Sequence, residues 1–192
     1  MTTADTVTTQ DIEAAAARIQ GVAVRTPLLE SSQLNEDVGG RVLIKPECLQ
    51  RSGSFKFRGA YNRLAQLSDK QRASGVVAWS SVNHAQGIAA AAQLLGVNAA
   101  IVMPADAPSV KVAKTKGYGA EVIPYDRYTE NREEIATKLA QERGAVLVPS
   151  FDDYDIIAGQ GTCGLEIAQQ CTERAINLDA LLVCCGGGGL IA

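Results

Sequence analysis

The chain has 192 residues, of which 46% are hydrophobic, and its formal net charge at pH 7 is −3. This composition supports a packed core and disfavours nucleic acid or an anionic membrane as partner. No apolar run approaches the roughly 20 residues that span a bilayer, and the N-terminus lacks the pattern of a secretory signal. The five cysteines form no C-x-x-C pair and there is one histidine, so we expect a cytoplasmic protein with reduced thiols and no metal finger.

In the first third of the chain, capping residues predict where short helices begin. Thr8 or Thr9 can cap a helix that ends at Gly21. Ser68 and Gln71 stand at the spacing of a capping box, which predicts the start of a further helix. Between them, apolar residues at helical spacing follow the stretch around Lys56.

Beyond residue 75, apolar strands alternate with helical patterns. Strands are predicted at 76–79, 98–103, 121–124, 145–148 and 178–185. Helices are predicted at 83–95, at 106–117 with Asp106 as N-cap, at 129–143 and at 160–171. This alternation predicts an α/β fold in which helices cover both faces of a parallel sheet. We expect a small αβ domain at 68–150, with 1–67 and 151–192 belonging to a larger, incomplete domain.

Lys56 lies between Phe55 and Phe57 in the stretch 54–60. Burial among apolar neighbours lowers the pKa of an amine, as a Schiff-base lysine requires. The alternative is an exposed lysine at the start of an amphipathic helix, and the heptapeptide alone favours that alternative.

Four consecutive glycines, Gly186, Gly187, Gly188 and Gly189, follow the last predicted strand. A backbone without side chains can approach a ligand closely and present several N–H groups to a phosphate. The alternative is a flexible turn. The run also satisfies a loose G-x-G-x-x-A pattern of dinucleotide sites, which a glycine run matches easily.

The stretch 80–87 follows the strand predicted at 76–79. Asn83 can cap the next helix, and the N–H groups at its start suit an anion such as a substrate carboxylate. His84 is the single histidine, and a lone histidine is more often structural than catalytic. An amine, a phosphate nest and a carboxylate site together are what a pyridoxal phosphate enzyme acting on an amino acid needs.

Ordered motifs along the whole chain resemble the threonine/serine dehydratase and serine racemase family of fold-type-II pyridoxal phosphate enzymes. The motifs are Lys45-Pro46-Glu47, Ser54-Phe55-Lys56-x-Arg58-Gly59-Ala60, Ser80-Ser81-x-Asn83-His84-Ala85-Gln86-Gly87, residues 157–162 and the four glycines. The resemblance implies a tryptophan-synthase-β-like architecture. It also implies an ammonia-lyase that converts L-threonine or L-serine to a 2-oxo acid and ammonia.

The resemblance also implies a role for each motif residue. Lys56 would hold pyridoxal 5'-phosphate as an internal aldimine and abstract the Cα proton, and Ser81 would be the acid/base on the opposite face, as in racemases. Phe55 and Asn83 would contact the cofactor ring, and the glycines Gly186, Gly187, Gly188 and Gly189 would hold its phosphate. The substrate carboxylate would lie on three residues: Ser80, Asn83 and His84.

Two departures from the family pattern leave alternatives open. Val82 stands where the family has glycine, which could alter the pocket. Family members continue past the glycine run, so we expect a truncated sequence whose divalent-cation ligands and pyridine-nitrogen partner lie beyond residue 192.

The alternative functions are a serine racemase, a hydroxy-amino-acid dehydratase, or a catalytically incompetent fragment with residual phosphate binding. A full-length protein is expected to be a homodimer acting on a small hydroxy amino acid.

Overall fold

A computed structural model describes residues 6–80 and 83–192 of the chain. Its first part contains helices α1 (Thr9–Ile19), α2 (Ser32–Val38) and α3 (Lys56–Ala65), the antiparallel strands β1 (Leu29–Glu30) and β2 (Leu43–Ile44), and 3₁₀ turns at Glu47–Leu49 and Arg51–Gly53. Thr8 caps α1, since its hydroxyl accepts from the N–H of Asp11 and the Asp11 carboxylate accepts from the N–H of Thr8. This reciprocal pair satisfies two N–H groups that a helix start leaves open, and it confirms the predicted threonine cap.

Four parallel strands form the main sheet, in the order β5-β4-β3-β6. The strands are β3 (Val76–Trp79), β4 (Ala99–Pro104), β5 (Glu121–Tyr125) and β6 (Val146–Leu147). The remaining helices are α4 (Asp69–Ser74), α5 (Asn83–Leu95), α6 (Ser109–Gly117), α7 (Arg132–Arg143) and α8 (Tyr154–Glu173). In β4, Ile101 and Met103 join the core that contains α5, whereas Ala100 and Val102 join the core that contains α7. The alternation of side chains along a strand thus confirms a sheet with helices on both faces.

The core beneath α5 extends beyond the sheet. Phe57 and Leu64 of α3 and Ile156 of α8 belong to it and are fully buried. Helix α3 therefore packs directly on the layer that covers the sheet. The division into a domain at 68–150 and a larger one around it stays a prediction.

Three predicted helix starts differ from the structure. Helix α8 begins at Tyr154 rather than residue 160, because the Asp153 carboxylate accepts from the N–H of Ile156 and caps it. Asp106 does not cap α6, which begins at Ser109; its carboxylate instead binds Arg127. Helix α7 begins at Arg132 rather than 129, because the side chain of the preceding asparagine caps it.

The strand predicted at 178–185 is absent from the described part of the chain, where these residues form no regular element. Leu181 and Leu182 are 56% and 95% exposed. An apolar run becomes a strand only when a neighbouring strand accepts and donates its backbone hydrogen bonds. None of the six described strands pairs with this run.

Candidate active site

Lys56 is the first residue of α3 and is half-buried. Its Nζ donates a hydrogen bond of 2.5 Å to the carbonyl oxygen of Ser150 and lies 5.3 Å from the centroid of the Phe55 ring. Burial lowers the pKa of the Lys56 amine below its usual value, because water no longer solvates the ammonium fully. The amine is therefore easier to deprotonate than that of an exposed lysine.

Helix α3 is held between α5 and α8 at positions where glycine allows close approach. A Cβ on Gly87 of α5 would lie 3.1 Å from the carbonyl carbon of Lys56. On the other side, a Cβ on Gly159 of α8 would lie 2.5 Å from the Cα of Gly59. The backbone that carries Lys56 is thus fixed by direct contact with two neighbouring helices.

A buried ionic cluster lies beneath α3. The guanidinium of Arg58, which is fully buried, donates to Glu47 at 2.8 Å and to Glu166 at 2.7 Å, and Lys45 donates to Glu166 at 2.6 Å. The cluster contains two cations and two anions, so its charges balance. The sequence analysis gave Arg58 and Glu47 no role beyond their place in a motif, and it did not name Glu166. These charged residues stand among small and apolar neighbours in the sequence, which predicts that they are buried. A buried charge requires a partner, so the pattern also predicts an ion pair.

Lys56 faces a cleft at the carboxyl end of β3, where ligands collect in open parallel sheets. The cleft has a volume of about 250 Å³ and is lined by Lys56, Trp79, Ser80, Asn83, His84, Arg132 and Ser150. The N-terminus of α5 opens into it, and helix N-termini favour anions. The structure therefore brings together Lys56, Ser80, Asn83 and His84. The predicted residues Ser81 and Val82 lie outside the described part of the chain.

His84 is 2% exposed and belongs to the cleft wall. Its Nε2 lies 3.3 Å from the carbonyl oxygen of Val148. A carbonyl can only accept, so Nε2 carries the hydrogen, while Nδ1 has no hydrogen-bond partner within the described residues. Burial, assisted by the charge of Lys56, lowers the pKa of His84 to about 4. The imidazole is neutral at physiological pH, with a free acceptor nitrogen.

The glycine run reaches the cleft indirectly, through the segment that follows β6. A Cβ on Gly187 would lie 2.5 Å from Cγ of Phe151, the residue after the Lys56 acceptor Ser150. Gly188 has φ +90°, which a residue with a side chain adopts only at a cost. A Cβ on Gly186 would meet no described atom within 4 Å. The run does not line the cleft itself, but it lies beside the segment that binds the lysine.

These residues fit pyridoxal phosphate. The amine is half-buried and faces a helix N-terminus, the buried Nδ1 of His84 has no partner in the described part of the chain, and the glycine run leaves space that a side chain would fill. Lys56, Phe55 and Asn83 are the residues that would hold the ring, and the glycines the phosphate; these roles stay predictions. When bound, pyridoxal phosphate supplies an electron sink for the Cα carbanion of an amino acid.

Comparison with known proteins decides the family. A family model described as pyridoxal-phosphate dependent enzyme matches residues 19–192. The chain belongs to this family. It is 53% identical to an L-threo-3-hydroxyaspartate ammonia-lyase of Pseudomonas sp, covering 95% of this chain and 56% of the relative. It is 47% identical to a serine racemase of Schizosaccharomyces pombe, covering 96% of this chain and 56% of the relative.

A solved structure of the same family confirms the fold class. Superposition on the maize serine racemase gives a TM-score of 0.91 at 40% identity, covering 96% of this chain and 55% of that one. The chain thus spans about half the length of the relatives it matches. Among the described residues, no group of three or more His, Cys, Asp or Glu could hold a metal ion, and no helix is long and apolar enough to cross a membrane.

Three residues of the site were missed by sequence reasoning. Ser150 and Phe151 follow β6 and contact Lys56 and Gly187, which are far away in the sequence. Arg132 lines the cleft from the first residue of α7. A signal existed for Arg132, since a cation at the first position of a helix opposes the helix dipole.

Proposed function

We propose that the whole protein is a pyridoxal-phosphate-dependent ammonia-lyase that dehydrates a 3-hydroxy amino acid to a 2-oxo acid and ammonia. The half-buried Lys56, with its pKa lowered by burial, carries this proposal. It supplies an amine that can bind the cofactor aldehyde and, when released, take the Cα proton of the substrate. The N-terminus of α5, at Asn83, offers N–H groups to the substrate carboxylate beside it.

Replacing Lys56 by alanine tests this function. Pyridoxal phosphate added to the wild-type chain should give the visible absorption band of a lysine-bound cofactor, and the Lys56→Ala variant should lose it. Lys138→Ala is the matched control, because the Lys138 side chain is 79% exposed on α7 and should leave the band intact. A wild-type chain that shows no band would refute the proposal. Formation of 2-oxo acid from L-serine and L-threonine then measures turnover.

A dicarboxylic substrate, such as 3-hydroxyaspartate, is favoured by one specific observation. Arg132 is exposed at the cleft and forms no ion pair within the described residues. The two carboxylates of such a substrate would match the α5 N-terminus and this guanidinium. The Pseudomonas relative named for L-threo-3-hydroxyaspartate is consistent with this choice.

The Arg132→Gln variant separates the two substrate classes. A charge-assisted hydrogen bond contributes about 1.5–3 kcal/mol, so its loss should lower kcat/KM for L-threo-3-hydroxyaspartate by about 10- to 100-fold and leave L-threonine nearly unchanged. Arg127→Gln is the control, because Arg127 pairs with Asp106 on the surface. An unchanged ratio between the two substrates would refute the assignment of Arg132.

Serine racemisation is the second candidate activity, supported by the similarity to the Schizosaccharomyces pombe racemase. Its predicted acid/base, Ser81, belongs to the family motif. Assaying D-serine beside 2-oxo acid distinguishes racemase from lyase. A folded chain that binds the cofactor but turns over neither substrate supports the incompetent fragment instead. The homodimer, the divalent-cation site and the cytoplasmic location stay proposals, supported by the family resemblance and the composition.

A further inference from the structure

The segment between β6 and α8 contacts the three parts of the site that the sequence motifs predict separately. The carbonyl of Val148 accepts from Nε2 of His84, and the carbonyl of Ser150 accepts from Nζ of Lys56. The next residue, Phe151, packs against the glycine run. Four consecutive residues, 148–151, therefore contact the start of α5, the lysine and the predicted phosphate nest.

Phe151 contacts two of the four glycines from one side. A Cβ on Gly187 would lie 2.5 Å from Cγ and 2.7 Å from Cε1 of the Phe151 ring, and one on Gly189 would lie 3.0 Å from its Cβ. The distances at Gly187 are too short for a side chain to be accommodated without movement, whereas the contact at Gly189 is tight and a small shift would relieve it. Gly187 is thus required by Phe151, whatever ligand the run binds.

The other two glycines have open space where a side chain would lie. A Cβ on Gly186 or Gly188 would meet no described atom within 4 Å. Gly188 is required for a separate reason, because its φ is +90°. The open side of the run, at Gly186 and Gly188, is where an anion can approach, while the Phe151 side is already filled by protein.

We propose that Phe151 is a positioning residue that holds the glycine run at a fixed distance from Lys56. The inference rests on the proposed function, in which one pyridoxal phosphate molecule is bound at its aldehyde by Lys56 and at its phosphate by the run. Ser150 binds the lysine and Phe151 supports the run, so the peptide bond between them sets the separation of the two anchors. A loop supported in its bound conformation loses less conformational freedom on binding.

Comparing pyridoxal phosphate with pyridoxal tests this role. In the 192-residue chain, Phe151→Ala should raise the dissociation constant of pyridoxal phosphate by about tenfold, as an interaction of about 1.4 kcal/mol predicts. Pyridoxal lacks the phosphate, so its dissociation constant should stay within about twofold. The dissociation constants are measured by titrating the visible absorption band. Tyr128→Ala is the control, because Tyr128 is 86% exposed.

A double-mutant cycle shows whether Phe151 or the ligand excludes a side chain at Gly187. Gly187→Ala should weaken pyridoxal phosphate binding by its collision with Phe151, so Phe151→Ala/Gly187→Ala should bind no worse than Phe151→Ala alone. Gly186→Ala faces the open side, and its effect should add to that of Phe151→Ala. Additive effects of Phe151→Ala and Gly187→Ala would overturn the inference, because the ligand would then be what excludes a side chain at Gly187.

The remaining outcomes separate the inference from the proposed function. A wild-type chain that binds pyridoxal phosphate, with an equal loss of both ligands in Phe151→Ala, overturns the positioning role and leaves the proposed function standing. A wild-type chain that binds neither ligand overturns both. If melting curves show Phe151→Ala to be unfolded, Phe151→Leu takes its place, and it should give a smaller loss in the same direction.

Discussion

Replacing Arg58 by methionine tests how the helix that carries Lys56 is held. The Arg58 guanidinium is fully buried between Glu47 and Glu166, whose side chains are 10% and 16% exposed. Methionine fills most of the volume but leaves both carboxylates without this donor. Lys45 can still compensate Glu166, so Glu47 is the carboxylate left uncompensated.

The expected loss is large because a buried charge without a partner costs more than the pair contributes. Removing one member of a buried ion pair typically costs about 3–5 kcal/mol. Since Lys45 remains, we expect the free energy of unfolding to fall by about 3 kcal/mol, at the lower end of that range. Urea denaturation at pH 7 measures it as a shift of the midpoint. Arg143→Met is the control, because its pair with Glu121 is 41% and 51% exposed and should contribute at most about 1 kcal/mol.

The pH dependence gives a second measurement. Burial alone would raise the pKa of Glu166, but hydrogen bonds from Arg58 and Lys45 outweigh it and hold the pKa below its usual 4.5. A carboxyl whose pKa is lower in the folded state stabilises the fold above pH 4.5, and this contribution is lost as the pH falls through the folded pKa. The difference between wild type and Arg58→Met should therefore shrink in acid. A loss below about 1 kcal/mol at pH 7, or a difference independent of pH, would refute the reasoning.

Two further predictions concern the packing of α3 and the charge of the cleft. Gly159→Ala should lower the free energy of unfolding by about 1–3 kcal/mol, because its Cβ would lie 2.5 Å from the Cα of Gly59. Gly164→Ala in the same helix is the control: its Cβ would meet nothing within 4 Å, so the free energy of unfolding should not fall. His84, with a pKa of about 4, should show no imidazole titration by NMR between about pH 5 and 8, where an unperturbed histidine titrates. Because only the unfolded state takes up that proton, stability should fall as the pH drops from 6.5 towards 4, and a titration near 6.5 would contradict the assigned burial.

The sheet was predictable because its strands are short runs rich in apolar residues, with glycine or proline in or near each of them. The run 76–79 follows Gly75, and β4 ends at Pro104. The apolar pattern and the positions of glycine and proline therefore predict the same strand boundaries. Helix α8 was predicted to begin at residue 160, six residues later than it does. In the structure Gly159 lies within the helix, where its missing side chain allows contact with Gly59. A glycine required by tertiary packing cannot be distinguished by local pattern from one that ends a helix.

Part of the site was predictable because its residues belong to local sequence motifs. Lys56, Asn83 and His84 belong to local motifs, and the end of a parallel strand brings them together. Ser150 acts on Lys56 across 94 positions of sequence, and the serine itself carries no local signal, because only its backbone carbonyl is used. Contacts made by backbone atoms over such separations depend on the fold rather than on residue type.

The charges around the cleft indicate what it can bind. Among its described lining residues the only charged side chains are the cations Lys56 and Arg132, and none is acidic. His84 is neutral, and the ionic cluster of Arg58 beneath α3 balances its own charge. The N-terminus of α5 adds a further partial positive charge. An isolated metal cation would find no carboxylate among these lining residues, whereas a substrate carboxylate brings the negative charge that this cleft leaves uncompensated.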